Sequence, residues 1–265
     1  KRLDVDYTII NGKSDGTFPN HHPDPSIESN LTELKEVVKK TNSDVGLAFD
    51  GDGDRVGVIS NKGEFIPIDY YMIIIIRDII NKVDNKPFLY DVKCSKSLED
   101  EIVKLGGTPY CYRTGNSYTK AKVKELDLAF GGELSGHVYF RDKFLGFDSG
   151  IYAGLRLLEI LSNTNKSVEE LLSGINRYYS TPETKYKTTD EIKFSVVKKI
   201  EEYCKGKGYT YNNIDGVRVT FDDSWASVRA SNTGPNLTAR FEASSEERLK
   251  EIKEEFESLI FKYNN

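Results

Sequence analysis

The stretch GLAFDGDGDRVG (residues 46–57) indicates both the fold and the chemistry of this chain. A short apolar run leads directly into Asp50, Asp52 and Asp54, which alternate with glycines and are followed by Arg55. Glycines let the backbone turn tightly enough for the three carboxylates to converge, and such a cluster is stable only around a cation. Oxygen-only ligands favour Mg²⁺ or Ca²⁺ over zinc, so we predict a hard divalent cation here.

Three other interpretations match this loop less well. An EF-hand calcium loop requires glycine and a bidentate glutamate where this chain has Arg55 and Asn61. The phosphatase motif strand-D-x-D-G would use Asp50 as nucleophile and Asp52 as acid/base, but it expects threonine at Asp54. A solvated acidic turn is disfavoured by the buried strand before it. The guanidinium beside the aspartates matches a phosphate in shape, which indicates phosphoryl chemistry.

Working outward, hydrophobic periodicity predicts helices that alternate with strands. A strand at 3–10, a helix at 29–43 and a strand at 44–49 place the acidic stretch at the carboxyl end of a strand, where open α/β sheets bind ligands. The alternation continues with helices at 68–81, 97–105, 117–126 and 147–162 and with strands at 88–92, 109–113 and 128–133.

The pattern changes after Tyr179, where turn residues join three strands at 216–221, 225–231 and 237–243. A final helix has a capping box at Ser244 and Glu247. Its apolar face is formed by Leu249, Ile252, Phe256 and Leu259. We therefore predict an α/β fold class, with mixed-sheet α/β domains followed by an α+β C-terminal domain.

Composition limits the partners and the compartment. The 265 residues carry a net charge of −5, which does not favour a nucleic acid or an anionic membrane. Cys94, Cys111 and Cys204 are odd in number and widely spaced, as is typical of reduced thiols in the cytoplasm. The longest apolar run is interrupted by Arg77 and Asp78, so we predict a buried element and no membrane span.

Two further loops carry polar side chains suited to a sugar phosphate. In RASNTGPNLTARFEA (229–243), an arginine, two hydroxyls and an amide favour a phosphate cradle, with a plain polar hairpin as the alternative. These side chains are Arg229, Ser231, Asn232 and Thr233. In GGELSGHVYF (131–140), Glu133 and Ser135 could bind vicinal hydroxyls, and His137 could transfer protons or simply be a core histidine.

Two more segments are less specific. Lys93 follows a predicted strand in YDVKCS and is either a functional or a solvated charge. The loop HHPDP (21–25) offers His21, His22 and Asp24 as a metal site, although adjacent histidines with prolines more often structure a loop.

Taken together, these motifs resemble the α-D-phosphohexomutases, within them the bacterial phosphomannomutase/phosphoglucomutase group. DGTFPNHHPDP, FDGDGDR, DVKCS, GGELSGH, GFDSGIYAGLRLLEIL and SNTGPNLTARFEA occur in the family's order over essentially the whole chain. The resemblance implies that Asp50, Asp52 and Asp54 hold Mg²⁺ with Arg55 beside it. It also implies that Glu133 and Ser135 bind sugar hydroxyls, that Lys93 and His137 transfer or orient protons, and that Arg229, Ser231, Asn232 and Thr233 hold the non-reacting phosphate.

The implied reaction interconverts hexose 1-phosphate and 6-phosphate through a 1,6-bisphosphate and an enzyme phosphoserine. Mannose and glucose phosphates are the favoured substrates. Two features depart from the family: Asn116 stands where relatives tend to carry histidine, and no phosphoserine loop of the type T-A-S-H-N-P occurs. We therefore expect the chain to contain the end of domain 2 (1–64), domain 3 (65–176) and domain 4 (177–265). We also expect the chain to be inactive by itself. A Mg²⁺-dependent phosphatase using Asp50 and a non-catalytic sugar-phosphate-binding fragment are the alternatives.

Overall fold

The structure is a computed structural model that describes residues 4–13, 15–231 and 234–264. Three β-sheets follow one another along the chain, and helices pack against each of them. The predicted fold class is confirmed, because helix-covered α/β units come first and an α+β unit closes the chain. The domain divisions at 64/65 and 176/177 stay predictions.

The first sheet carries the acidic loop (residues 50–55). Its strands are β1 (Val45–Phe49), β2 (Val56–Ser60) and β3 (Phe65–Ile66), in that order, and α1 (Thr32–Thr41) packs against β1 and β2. The acidic loop follows the carboxyl end of β1 as predicted. It leads, however, into an antiparallel neighbour, since Phe49 pairs with Val56. Six residues are too few for a parallel crossover, so the described part of this sheet is antiparallel and not mixed.

The strand predicted at residues 3–10 is wrong over the part that the structure describes. Residues 4–10 have no strand conformation, and Val5, Tyr7 and Ile9 are exposed. Alternating side chains can mark a strand, but a strand also needs a ladder partner, and no strand in the described ranges pairs with this segment.

The second sheet has the strand order β5-β4-β6-β7. Strand β4 (Pro87–Asp91) is parallel to β5 (Thr108–Tyr112) and to β6 (Phe130–Gly132), and β7 (Val138–Phe140) is antiparallel to β6. The helices of this unit are α2 (Ile68–Ile79), α3 (Lys96–Lys104), α4 (Asn116–Glu125), α5 (Gly150–Ser162) and α6 (Val168–Leu171). Because β4 and β5 are parallel neighbours, the loops that follow them begin at the same edge of the sheet.

One apolar core joins the first two sheets. Val56 and Val58 of β2 belong to the same buried cluster as Ile75 of α2 and Leu157 of α5. The apolar run at 70–80 is thus the buried helix that was predicted, and no helix in the described ranges is long and apolar enough to cross a membrane. The shared core fixes the acidic loop relative to the loops of the second sheet.

The third sheet forms the α+β unit. Its path is β10-β11-β12-β13-β8, and β9 also pairs with β13. The strands are β8 (Tyr179–Ser180), β9 (Thr184–Lys187), β10 (Tyr211–Asn212), β11 (Val217–Thr220), β12 (Ser224–Ala230) and β13 (Asn236–Ala243), and the helices are α7 (Lys193–Gly206) and α8 (Glu246–Tyr263). The three predicted strands and the final helix are therefore present.

The cap of α8 lies one residue later than predicted. Ser245, not Ser244, is the N-cap, and its hydroxyl accepts a hydrogen bond from the Arg248 amide at 3.1 Å. The Ser244 amide instead donates to the Asp223 carbonyl at 2.8 Å, which keeps Ser244 in the sheet end. The sequence has two consecutive serines that could cap the helix, and the hydrogen bond from Ser244 to Asp223 decides which of them does so.

The third sheet is joined to the second through the backbone of the Lys93 loop (residues 92–96). The buried Arg218 donates to the carbonyls of Val92 at 2.9 Å and Cys94 at 3.4 Å, and Arg240 donates to the carbonyl of Lys93. The Glu242 carboxylate accepts from the Lys96 amide at 2.7 Å. Three charged side chains of the third sheet thereby hold the loop that carries Lys93.

Candidate active site

The acidic loop brings its three aspartates to one point. Gly53 has a φ of +75°, and its amide donates to the Asp50 carbonyl at 3.3 Å, so the chain reverses direction within four residues. One carboxylate oxygen from each of Asp50, Asp52 and Asp54 lies within 4.8 Å of the others. This arrangement suits a small cation that prefers oxygen ligands.

Asp54 lies among other carboxylates. Its Oδ1 atom is buried and has no hydrogen-bond partner among the residues that the structure describes. Burial, together with the nearby Asp50, Asp52 and Asp148 carboxylates, raises the pKa of Asp54 to about 7. A divalent cation would provide the missing partner and relieve this repulsion, so the side chains present fit a metal site.

Arg55 pairs with two carboxylates. Its Nε lies 2.7 Å from Asp50 Oδ2, its main-chain amide donates to Asp50 Oδ1 at 3.0 Å, and its side chain also donates to Asp24 at 3.1 Å. Burial acts to raise the pKa of Asp50, but the hydrogen bonds from Arg55 outweigh it and hold the pKa below its ordinary value. Arg55 therefore stabilises the acidic loop, and its ion pair with Asp24 links this loop to the HHPDP loop.

The HHPDP loop does not form the metal site that its histidines offered. Among the described residues, His21, His22 and Asp24 do not gather into a group able to hold a metal ion. Asp24 instead accepts a hydrogen bond from the Ser26 hydroxyl at 2.6 Å in addition to the one from Arg55. These contacts agree with the alternative interpretation, in which the HHPDP residues structure the loop.

His137 lies beside the acidic loop. An antiparallel bridge joins His137 to Arg55, and the imidazole Nδ1 lies 3.1 Å from Asp148 Oδ2 and 3.6 Å from Asp54 Oδ1. The Asp148 carboxylate is in a position to orient the ring, as carboxylates paired with catalytic histidines do. His137 is therefore a neighbour of the predicted metal ligands and not an isolated core histidine.

Asn116 belongs to the same group of contacts. Its side-chain amide donates to Asp148 at 2.5 Å and lies 3.3 Å from His137 Nδ1, while the Tyr139 hydroxyl donates to Asn116 Oδ1 at 3.1 Å. Lys120 also pairs with Asp148, at 3.0 Å. The position where relatives tend to carry histidine thus holds a side chain that can donate a hydrogen bond but does not titrate.

The Glu133 loop (residues 133–137) holds the two predicted hydroxyl-binding side chains. Glu133 is only 2% exposed, and its carboxylate accepts hydrogen bonds from the Gly115 amide at 3.1 Å and from the Thr119 hydroxyl. Burial raises the pKa of Glu133. Ser135 Oγ lies 3.4 Å from the second carboxylate oxygen, so Glu133 and Ser135 form a pair that can donate to and accept from a sugar hydroxyl.

Lys93 lies just beyond β4 among carboxylates. Its ammonium is 3.7 Å from Asp91 and 3.8 Å from Glu183. Burial acts to lower the pKa of Lys93, but these two carboxylates outweigh it and raise the pKa above its ordinary value. At neutral pH Lys93 is therefore a cationic hydrogen-bond donor and not a base.

Asp91 connects three loops around Lys93. It is fully buried, and it accepts hydrogen bonds from the Leu134 amide at 3.2 Å and from the Thr114 hydroxyl at 3.1 Å. The carboxylate therefore holds the Glu133 loop and the segment after β5 beside Lys93. Three predicted site segments share this one anchor.

Arg229 is the next-to-last residue of β12 and faces the second sheet. Its Nε lies 3.1 Å from Asp215 and its terminal nitrogen 3.5 Å from Glu183, and the Asp215 carboxylate also accepts from the Thr114 amide at 3.1 Å. Ser231 is buried, and its amide donates to the Asn236 carbonyl at 2.8 Å. Asn232 and Thr233, the other two predicted phosphate-binding residues, lie outside the described residues.

Sequence reasoning overlooked four carboxylates in this site, namely Asp91, Asp148, Glu183 and Asp215. Asp91 and Asp148 lie inside the quoted motifs DVKCS and GFDSG, so their positions were available as a signal. Glu183 and Asp215 have no local pattern and reach the site only through the packing of the third sheet. Together the contacts join the three aspartates of the acidic loop, the pair Glu133 and Ser135, and the cations Lys93 and Arg229 into one polar cluster.

Three family models match successive parts of the chain. "Phosphoglucomutase/phosphomannomutase, alpha/beta/alpha domain II" matches residues 1–63, and "alpha/beta/alpha domain III" of the same family matches residues 67–178. The family's "C-terminal domain" matches residues 183–259. The matches follow the order of the three sheets.

Curated relatives give the same family over nearly the whole chain. A phosphomannomutase/phosphoglucomutase of Pseudomonas putida is 42% identical over 94% of this chain and 54% of its own length. A phosphoglucomutase of Neisseria meningitidis is 38% identical over 93% of the chain and 54% of its own length. The chain thus spans about half the length of the curated relatives it matches.

A solved structure agrees with these matches. A phosphoglucomutase/phosphomannomutase family protein of Burkholderia thailandensis superposes with a TM-score of 0.85 at 38% identity, over 93% of this chain and 52% of that one. The order of the sheets, the polar cluster that joins them and the matched models have a single explanation. The chain belongs to the phosphoglucomutase/phosphomannomutase family, the α-D-phosphohexomutases.

Proposed function

We propose that this chain forms the metal-, sugar- and phosphate-binding part of an isomerase that interconverts hexose 1-phosphates and hexose 6-phosphates. The observation that carries the proposal is a continuous series of contacts. It runs from the acidic loop to His137, from the Glu133 loop through Asp91 to Lys93, and from Lys93 through Glu183 to Arg229. Names of relatives, phosphomannomutase and phosphoglucomutase, support mannose and glucose phosphates as substrates.

Mg²⁺ is the cation we propose for Asp50, Asp52 and Asp54, because three carboxylates without nitrogen or sulfur ligands select a hard ion. When bound, it would neutralise charge on a phosphoryl oxygen. The buried and unpartnered Asp54 Oδ1 supports this assignment. Arg55 keeps Asp50 ionised and in place.

The remaining side chains bind and orient the sugar phosphate. Arg229, Ser231, Asn232 and Thr233 hold the phosphate that is not reacting, and Glu133 with Ser135 binds two sugar hydroxyls. Lys93, which is cationic at neutral pH, donates a hydrogen bond to an oxygen near the reacting hydroxyl. His137 has Nδ1 beside Asp148, which leaves Nε2 to accept or return the hydroxyl proton.

The phosphoryl group itself is carried by an enzyme phosphoserine in the proposed reaction, which proceeds through a 1,6-bisphosphate. No T-A-S-H-N-P sequence occurs in the 265 residues, so in this proposal the chain supplies binding and charge stabilisation but not the nucleophile. A phosphatase using Asp50 is less consistent with the contacts. Both oxygens of Asp50 accept hydrogen bonds from Arg55, which lowers their nucleophilicity.

Calorimetric titration of the chain with glucose 1-phosphate and mannose 1-phosphate in the presence of Mg²⁺ tests the proposal. We expect both to bind, and Glu133→Gln to weaken binding by about tenfold, as for the loss of a charge-assisted hydrogen bond. Inorganic phosphate, which has no sugar hydroxyls, should bind the parent and Glu133→Gln equally. The exposed Glu125→Gln on α4 is the matched control.

Two results would contradict the proposal. One is failure of both sugar phosphates to bind at millimolar concentration. The other is release of inorganic phosphate from glucose 1-phosphate in an amount that Asp50→Asn abolishes, which would indicate the phosphatase.

A further inference from the structure

Glu183 lies between two cations of the polar cluster, Lys93 and Arg229. One of its carboxylate oxygens is 3.8 Å from the Lys93 ammonium, and the other is 3.5 Å from a terminal nitrogen of Arg229. The side chains of Lys93 and Arg229 are 12% and 11% exposed, whereas that of Glu183 is 30% exposed. The carboxylate is therefore the most accessible member of the three.

The position of Glu183 in the chain gives it access to both units. It lies in the short connection from β8 to β9, two strands of the third sheet. Lys93 belongs to a loop of the second sheet, and Arg229 lies near the end of β12 in the third. Glu183 thus places a partly exposed negative charge at the junction between the two sheets.

The charges of these two cations are already balanced without Glu183. Asp91 lies 3.7 Å from Lys93, and Asp215 lies 3.1 Å from Arg229. Both carboxylates are also fixed by main-chain amides, those of Leu134 and Thr114.

The group therefore contains two cations and three carboxylates, and its net charge opposes an entering anion. Glu183 is the surplus carboxylate. It is the only one of the three that combines longer contacts with substantial exposure.

We propose that Glu183 is an internal counter-ion between Lys93 and Arg229 and that it is displaced when the phosphate held by Arg229 binds. This inference deepens the proposed function and rests on it. The carboxylate occupies contacts that Lys93 and Arg229 would otherwise offer to an anion from solution. It therefore lowers the affinity for every phosphoryl ligand by a similar factor. Release of a sugar phosphate is correspondingly favoured.

The test is calorimetric titration of inorganic phosphate and of glucose 1-phosphate into the parent chain and into Glu183→Gln. Removal of one negative charge at this distance should tighten both ligands by the same factor, about three- to tenfold. The factor should be equal because the phosphoryl group, not the sugar, displaces the carboxylate. Glu183→Ala should tighten both ligands in the same direction.

Glu251→Gln is the matched control. It removes the same charge from α8, where Glu251 pairs with Arg248 and Arg248 in turn pairs with Asp223, before the start of β12. That is the opposite end of the strand from Arg229. Its affinities for both ligands should equal those of the parent.

The outcomes separate this inference from the proposed function. If the parent binds glucose 1-phosphate and Glu183→Gln binds both ligands no more tightly, the inference is wrong and the function stands. Tighter inorganic phosphate in Glu183→Gln, with no glucose 1-phosphate binding to any variant, would leave the counter-ion in place and reject the function. Tightening of glucose 1-phosphate alone, or no phosphate binding by any variant, would overturn the inference.

Discussion

Oδ1 of Asp54 lies 3.6 Å from Nδ1 of His137, so the acidic loop and the Glu133 loop meet at one point. The first atom belongs to a hairpin of the first sheet, and the second lies at the edge of the second sheet. A hydrogen bond of 3.2 Å from the Val56 amide to the Gly136 carbonyl fixes the two loops together. A cation bound by Asp54 would therefore lie beside the residue that we propose handles the hydroxyl proton.

The proposed metal site leads to the first prediction. Asp52→Asn should weaken Mg²⁺ binding at least tenfold, about 1.4 kcal/mol or more, because a cage of three carboxylates has no spare charged ligand. Calorimetry measures the affinity directly. Asp44→Asn, an exposed aspartate at the other end of β1, should bind Mg²⁺ as the parent does. Unchanged affinity in Asp52→Asn would remove these aspartates from the metal site.

The proposed phosphate-binding loop, which follows β12, leads to the second prediction. Arg229→Ala should lose about 1.5–3 kcal/mol of binding free energy for glucose 1-phosphate, as for a hydrogen bond to a charged group. Arg229→Lys should recover little of it, since an ammonium cannot reproduce the planar fork. If both variants bind glucose 1-phosphate as tightly as the parent, the loop is only a hairpin.

These predictions rest partly on elements that the sequence already indicated. The helix α2 and the strands β4 and β12 follow from periodicity, because apolar side chains repeat with the period of the element that buries them. The acidic loop and the Glu133 loop were found because glycines next to polar side chains are a local pattern. Local patterns of this kind need no knowledge of the packing.

The parts that were missed depend on contacts between distant residues. Whether β1 pairs with a parallel or antiparallel neighbour is decided by the strand that it meets, not by the alternation within it. Glu183 reaches Lys93 across 90 positions of sequence, and Asp215 reaches Thr114 across 101. No periodicity in either segment could reveal these pairs.

The segment that leads to the third sheet gives a pH-dependent prediction. Burial acts to raise the pKa of Asp100, but hydrogen bonds from Asn176, Lys96 and Tyr178 outweigh it and hold the pKa below its ordinary value. A lowered pKa stabilises the fold above the pKa of the unfolded chain, about 4, and this contribution is lost as the pH falls further.

Asp100→Asn should therefore unfold more easily than the parent at pH 7, with a difference that shrinks below about pH 4. Urea unfolding at several pH values measures the difference. The exposed Asp84→Asn should stay within about 0.5 kcal/mol of the parent at pH 7. A difference for Asp100→Asn that is constant from pH 7 to pH 3 would contradict the role of its ionised form.

The junction between the second and third sheets gives a fourth prediction. Arg218→Met should lower the free energy of unfolding by about 2–4 kcal/mol, because the buried carbonyls of Val92 and Cys94 lose their charged donor. Arg248→Met, which removes the same charge from a more exposed side chain, should cost under about 1 kcal/mol. Equal losses in the two variants would show that the buried arginine does not hold the Lys93 loop.

The central claim is that the metal, sugar and phosphate groups form one site, and paramagnetic relaxation tests it most directly. Mn²⁺, which accepts the same oxygen ligands, would be titrated into the chain with glucose 1-phosphate while the ³¹P relaxation rate is followed. We predict a strong rate enhancement in the parent, lost in Asp52→Asn because the metal is not held and in Arg229→Ala because the sugar phosphate is not. Binding of both Mn²⁺ and glucose 1-phosphate to the parent without relaxation enhancement would place them in separate sites and contradict the account.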